Sequence, residues 1–249
     1  MPAVQSFLKW VAYRCGFSLR RLRPASRLSG SSASHNGRIR PLLHRVDPYQ
    51  DFDPSVWPDD PSGWGSDSPA FGELVETVRP NRLIEIGTWK GGSALTLARH
   101  LDRIGSDCEI LCVDTWLGAL EMWTNLEDPT RHGSLNLKHG YPSLYYTFLA
   151  NVVRAGHQKR ITPFPVPSIT AAQWLSLHGI RADLIYLDGS HEEEDVYQDL
   201  TVWWDIVSPG GVLFGDDWSW DGVRLAVQRF ASENRLAISH RHDKWELRR

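Results

Sequence analysis

Near residue 70 the chain settles into a regular rhythm, in which short apolar runs of strand length alternate with longer stretches of helical period. PAFGELVETVRP (69–80) predicts a helix closed by Pro80, because proline has no N–H to continue the ladder. RLIEIG (82–87) predicts a short buried strand, and SALTLARHLDRIG (93–105) an amphipathic helix ended by Gly105. CEILCVD (108–114) follows as a strand and SLYYTFLANVVRAG (143–156) as a helix ended by Gly156. RITPFPVP (160–167) is strand-like at its start, TAAQWLSLHG (170–179) is helical and ADLIYLDG (182–189) is a strand. EEDVYQDLTVWWDIV (193–207) predicts a helix, SPGG (208–211) a turn, VLFGDD (212–217) a strand and DGVRLAVQRFASEN (221–234) a helix. LAISHRH (236–242) and KWELRR (244–249) form a hairpin. Strands alternating with helices imply parallel βαβ units and an α/β, doubly wound sheet.

The stretch before residue 70 reads differently. Residues 1–46 hold nine Lys or Arg and no Asp or Glu. Val4, Phe7, Leu8, Val11 and Ala12 repeat at a helical spacing, and an Arg-, Ser- and Gly-rich tract follows. This predicts a partly disordered basic arm with a short amphipathic helix, whose charge also suits a weak contact with an anionic membrane surface or a partner. Residues 47–69, with five prolines, read as an irregular linker or a segment lying over the domain that begins at residue 70. The net charge of −3 gives the whole chain no field for a polyanion. Cys15, Cys108 and Cys112 are too few and too oddly spaced for a disulfide framework, so a reducing, cytoplasmic setting is expected. No apolar run approaches the roughly 20 residues of a membrane span.

Candidate chemistry gathers at the ends of the predicted strands, where open α/β sheets bind ligands. The first strand runs into EIGTWKGGS: acidic Glu85, then Gly87, Gly91 and Gly92, which permit a tight turn. The second ends in Asp114, placed to accept hydrogen bonds from ribose hydroxyls. The fourth ends in Asp188, followed by Gly189, Ser190 and His191, and the fifth in Gly215, Asp216, Asp217 and Trp218. The glycine spacing is G-x-x-x-G-G. It lacks the middle glycine of a dinucleotide fingerprint, and no phosphate-binding P-loop is present. The set suits a nucleoside ligand without a pyrophosphate. Two adjacent carboxylates, Asp216 and Asp217, repel one another unless they are solvated or share a cation.

EIGTWKGGSALTLA, CVDTW, DLIYLDGSHEEEDVYQDLTVWW, SPGGVLFGDDW and GVRLAVQRF, taken in order, resemble a class I S-adenosylmethionine-dependent methyltransferase. More closely they resemble the group of macrocin-type sugar O-methyltransferases and cephalosporin-hydroxylase-like proteins. The likeness covers roughly residues 70–235. It implies a Rossmann-like, three-layer α/β/α fold of seven strands with a terminal antiparallel hairpin. By the same resemblance, Glu85, Gly87, Thr88, Trp89, Gly91 and Ser93 form the cofactor turn. Asp114 and Thr115 hold the ribose, and Ser168 and Asp188 are further cofactor contacts. Asp188, Asp216 and Asp217 match aspartates that hold a divalent cation, Mg²⁺ by the hardness of its oxygen ligands. Such an ion would clamp two vicinal acceptor oxygens and lower the pKa of the one methylated. His191, with Asp188, is the expected catalytic base. The adenine-contacting acid or amide of the family has no match near the third strand, where PFPVPSIT offers Ser168 and Thr170. Trp89 and Trp116 stand where they would pack on adenine or cover the site.

Residues 116–143 form a connection far longer than the usual 4–6 residues and read as a lid carrying Trp123, Arg131, His132, Lys138, His139 and Tyr141. The expected substrate is a small hydroxylated acceptor such as a sugar, glycan or natural product. No nucleic acid is expected, because the strongly basic tract is confined to the arm. A homo-oligomer is compatible with the sequence. Two other readings share the fold: a cephalosporin-hydroxylase-like or otherwise non-methylating protein that binds cofactor or metal, and a binding module docked through its arm.

Overall fold

The computed structural model describes residues 38–124 and 129–249, so the helical spacing at 4–14 lies outside the described residues. The strands are β1 (Arg82–Ile86), β2 (Glu109–Asp114), β3 (Ile161–Pro165), β4 (Ala182–Leu187), β5 (Val207–Gly215), β6 (Ser239–Arg241) and β7 (Lys244–Arg248). They form one sheet in the order β3-β2-β1-β4-β5-β7-β6. The first five are parallel, and β7 runs antiparallel to both of its neighbours, β5 and β6, which is the expected doubly wound sheet with its terminal hairpin. The helices are α1 (Arg40–Leu43), α2 (Pro69–Val78), α3 (Gly92–Arg103), α4 (Leu120–Thr124), α5 (Pro129–Ser134), α6 (Leu144–Arg154), α7 (Ser168–Leu177), α8 (Glu193–Trp204) and α9 (Asp221–Asn234). No described helix is long and apolar enough to cross a membrane.

Side chains alternate across each strand, so each face has its own core. Leu83, Ile110, Cys112, Leu184, Tyr186, Val212 and Phe214 pack with apolar residues of α2, α3 and α6. Ile84, Ile86, Leu111, Val113, Ile185, Leu187 and Leu213 pack with those of α7, α8 and α9. Parallel strands covered on both faces read as continuous apolar runs, which is why these segments were legible in the sequence.

One boundary departs from its expected place. SPGG was expected as a turn, yet β5 already begins at Val207, and a register shift between Ala182 and Leu184 absorbs the extra residues. Arg249 completes the edge: its N–H donates to the Gly211 carbonyl and its own carbonyl accepts from Gly210.

Residues 38–46, whose composition belongs to the basic stretch, lie against the sheet. The Ile39 side chain is fully buried in the core under α7 and α8. The backbone N–H groups of Ile39 and Arg40 donate to the Glu109 carboxylate at 2.8–3.3 Å, and the Arg40 guanidinium donates to the Ile161 carbonyl and to Thr162. The next segment is also pinned. Arg154 of α6 donates to the carbonyls of Pro54, Trp57 and Pro58, and Trp57 stacks on Tyr146 with centroids 4.6 Å apart.

Removing a buried branched side chain from a filled core costs about 2–5 kcal/mol. Ile39→Ala should therefore lower the unfolding free energy measured in urea by about 2–4 kcal/mol. A change under about 0.5 kcal/mol would mean that this segment is undocked in solution.

Candidate active site

The sheet order reverses between β1 and β4, and their exits open the crevice that such a switch point creates. The two strands leave in contact. A Cβ on Gly87 would lie 1.9 Å from the Asp188 carbonyl oxygen, so only glycine fits there. The ladder runs to the edge of the crevice, with Asp188 N–H donating to the Ile86 carbonyl and Gly87 N–H to the Val113 carbonyl.

The turn after β1 is tied to β2 through one carboxylate. Asp114 Oδ2 accepts from the N–H groups of Thr88 (2.9 Å) and Trp89 (2.8 Å), and Oδ1 from that of Trp116 (2.7 Å). These bonds hold Trp89 and Trp116 at positive φ, 52° and 53°. Oδ2 thus carries two of these bonds and Oδ1 one, which leaves Oδ1 the less saturated oxygen. Burial raises the Asp114 carboxyl above its ordinary range, against the four backbone amides, of Trp116, Trp89, Thr88 and Thr115, that lower it. Glu85 points the other way, under the turn between its strand partners Cys112 and Tyr186. It is fully buried and accepts from Ser93 Oγ, from Thr88 Oγ1 (3.3 Å) and from Cys112 Sγ (3.5 Å).

A cavity of about 630 Å³ lies over these strand ends. Gly87, Thr88, Trp89, Ser93, Asp114, Thr115, Ser168, Asp188, His191, Asp216 and Asp217 all line it, so the structure brings most of the expected site residues together. Glu85 and Gly91 are not on its wall. Glu85 supports the turn from beneath, and Gly91 supplies the left-handed residue, φ 89°, from which α3 starts. Trp116 is buried against Tyr145 and Phe148, donates its indole N–H to the Trp89 carbonyl and is not on the wall. Of Trp123, Arg131, His132, Lys138, His139 and Tyr141, Arg131 lines the cavity, joined by Glu121 and Met122. Residues 57–68 contribute Trp64, whose ring stands 6.1 Å from Trp89 and under the Arg131 guanidinium.

The three aspartates at the ends of β4 and β5 are each engaged with protein groups. Asp188 Oδ2 accepts from the Tyr186 hydroxyl at 3.0 Å. Burial first, and then the charges of Asp216 and Asp217, push the Asp188 carboxyl up to about 7. Asp216 Oδ2 accepts from Lys244 Nζ at 2.6 Å, and its Oδ1 from the Asp217 N–H at 2.8 Å. Asp217 Oδ2 lies 3.0 Å from His191 Nε2, and this hydrogen bond holds the imidazole above its usual pKa. His191 Nδ1 faces Glu121 at 3.7 Å, and the ring stacks on Trp220 at 4.3 Å. Among the described residues no three His, Cys, Asp or Glu side chains stand together as a shell for a metal ion. The expected magnesium shell of Asp188, Asp216 and Asp217 is thus not assembled. Lys244 takes Asp216 Oδ2, His191 takes Asp217 Oδ2 and the Tyr186 hydroxyl takes Asp188 Oδ2.

Several groups on the wall escaped the sequence reading, among them Trp64, Glu121, Trp220 and Asp199. Asp199, on α8, accepts from Ser168 Oγ at 2.5 Å, and Ser168 Oγ in turn accepts from the Trp203 indole N–H at 2.7 Å. Burial pushes the Asp199 carboxyl up to about 6. In the sequence it sits among solvent-facing acids of an amphipathic helix, and only the packing of α7 on α8 reveals its direction.

An open α/β sheet with a nucleoside-sized crevice at its switch point, a glycine turn and an acid ending the second strand is the architecture of a class I S-adenosylmethionine-dependent methyltransferase. Residues 84–218 match the methyltransferase domain family, and the chain belongs to it. Solved structures agree on the fold. The O-methyltransferase of Bacillus cereus in complex with SAH aligns with a TM-score of 0.52 at 16% identity, over 85% of this chain and 95% of that one. CalS11, a TDP-rhamnose 3'-O-methyltransferase of calicheamicin biosynthesis, aligns with 0.52 at 17% identity, over 72% and 77%. The O-methyltransferase NovP aligns with 0.51 at 18% identity, over 72% and 77%. No curated protein matches the chain.

Burial pushes Glu85 up to about 8, whereas the unfolded chain ionises it near 4.5. Between those values the folded state holds a proton that the unfolded state lacks, so this group makes stability fall as pH rises from about 4.5 to about 8. Glu85→Gln removes the titration. Thermal melts should show the variant losing less stability than the parent between pH 5 and 8, by on the order of 2–4 kcal/mol. Parallel pH profiles would mean that Glu85 is not buried neutral.

Proposed function

We propose that this protein transfers the methyl group of S-adenosylmethionine to a hydroxyl of a small hydroxylated acceptor, a sugar or a glycosylated natural product. The observation that carries this reading is a single cavity with the Asp114-ordered turn on one wall and the Asp217–His191 pair on another. That its fold neighbours are O-methyltransferases, one of them acting on TDP-rhamnose, favours oxygen as the acceptor atom and a sugar as its class.

When bound, S-adenosylmethionine supplies a methyl group already activated on a sulfonium. What remains for the chain is to align the acceptor and take its proton. Gly87 lets the backbone approach the ligand closely, and Asp114 accepts one ribose hydroxyl on Oδ1, its less saturated oxygen. Asp199 supplies the acid missing after β3: one of its oxygens is fixed by Ser168 and the other is left for the exocyclic amine of adenine. Val166 and Ile169 give the base an apolar neighbour. At the other side Asp217 holds His191 Nε2, which leaves Nδ1 to accept the acceptor's proton. The Trp64 and Trp220 faces, with Glu121 and Arg131 beside them, suit a ring that carries both apolar C–H faces and hydroxyls.

Calorimetry with S-adenosylhomocysteine tests the cofactor, and its inosine analogue tests the adenine contact. The parent should bind the adenine compound about 10–100-fold more tightly, as a buried hydrogen bond to a charged group implies. Asp199→Ala should erase most of that preference. An unchanged preference would move adenine elsewhere, and a parent that binds neither compound would end the methyltransferase reading. With a glycoside acceptor, single-turnover methylation should rise with pH through the His191 titration. His191→Gln should lower the rate about 10²–10⁴-fold and flatten the profile. A variant with the parent's profile would show that another group removes the proton.

A further inference from the structure

We propose that Lys244 is the resident cation of the aspartate cluster at the ends of β4 and β5, and that the cluster accordingly takes no divalent metal ion. This deepens the reading of the same cavity as a methyl-transfer site, and its test is independent of the acceptor.

The hairpin puts the lysine there. β7 runs antiparallel to β5 with Trp245 opposite Gly215, so the residue before Trp245 stands beside the residue after Gly215, which is Asp216. The Lys244 side chain has no exposed surface. Its Nζ donates to Asp216 Oδ2 (2.6 Å) and Asp243 Oδ2 (2.6 Å) and, more weakly, to the Gly65 carbonyl (3.4 Å). An ammonium has three donors, and all three are used. Gly65 seals the pair from above: a Cβ there would fall 2.6 Å from Asp216 Oδ2 and 3.0 Å from Lys244 Nζ.

A magnesium ion binds carboxylate oxygen at about 2.0–2.1 Å and demands near-octahedral geometry. On Asp216 Oδ2 it would share the oxygen with a buried ammonium, and two cations that close repel strongly away from bulk water. Asp216 Oδ1 already accepts from a backbone amide, and Asp217 Oδ2 is paired with His191. The like-charge problem of the adjacent aspartates is thus met from inside the chain: lysine faces one carboxylate and imidazole faces the other. Lys244 also acts as a positioning residue. It fixes Asp216, whose carbonyl accepts from the Trp245 indole N–H, and so holds the backbone on which Asp217, at φ 60°, meets His191.

Manganese(II) titration followed by electron paramagnetic resonance and calorimetry tests this on the full chain without an acceptor. The parent protein should show no stoichiometric Mn²⁺ binding up to about 1 mM, with S-adenosylhomocysteine affinity unchanged by chelator. Lys244→Met keeps the length of the side chain and removes its charge. This variant should gain one Mn²⁺ site at least tenfold tighter than any in the parent, and Lys244→Met with Asp216→Asn should lose it again. One tight Mn²⁺ in the parent, abolished by Asp216→Asn, would overturn the proposal. So would a Lys244→Met protein that still binds S-adenosylhomocysteine yet gains no Mn²⁺ site. If Lys244→Met does not fold, the titration of the parent and of Asp216→Asn decides alone. Failure of the cofactor reading would show separately, as absence of S-adenosylhomocysteine binding to the parent.

Discussion

The contact between the exits of β1 and β4 governs the rest of the site. These strands are neighbours in the sheet and about a hundred residues apart in the chain, and they leave the sheet so close that Gly87 packs directly on the Asp188 carbonyl. The chain after β1 must therefore turn at once. Asp114, at the end of the strand on the far side, captures two amides of that turn and fixes its shape. The chain after β4 is set on its course by the same contact, which carries His191 to the end of β5. The glycine turn and His191 are placed by one close approach, and no side chain at position 87 would permit it.

Much of this was legible because a parallel sheet writes itself plainly in sequence. RLIEI, EILCVD and ADLIYL are nearly continuous apolar runs, and the acids that end them could belong only to a strand-end crevice. Asp114, Asp188, Asp216 and Asp217 were found that way, and the structure lines one cavity with them. Glu85 sat in the same motif but two ladder positions before Asp114 and Asp188, between Cys112 and Tyr186 inside the sheet, so it is buried beneath the turn instead of standing at the crevice.

What the sequence concealed were groups whose role depends on partners distant in the chain. Ile39 and Arg40 lie in a tract that composition marks as a basic arm, and the pairing with Glu109 and with the carbonyls of β3 has no local signature. Lys244 opens a short edge hairpin, where a lysine ordinarily faces water and blunts the edge. Here it turns inward, because Asp216 and Asp243 lie on either side of it. Asp199 was hidden among the acids of α8 for a similar reason. In each case a charge that looks like surface decoration is paired in the interior, and charge counting alone cannot distinguish the two.

The core beneath the turn also carries a reporter of its own opening. Cys112 lies fully buried beside Glu85, and Cys108 is nearly so; burial holds both thiols protonated far above neutral pH. A thiolate is the form that reacts with alkylating and disulfide reagents, so the closed sheet presents neither sulfur as a nucleophile. The slow labelling of these two positions by such a reagent then counts how often β2 parts from its neighbours. The chain thus carries a native clock for the breathing of its central sheet, placed directly under the glycine turn.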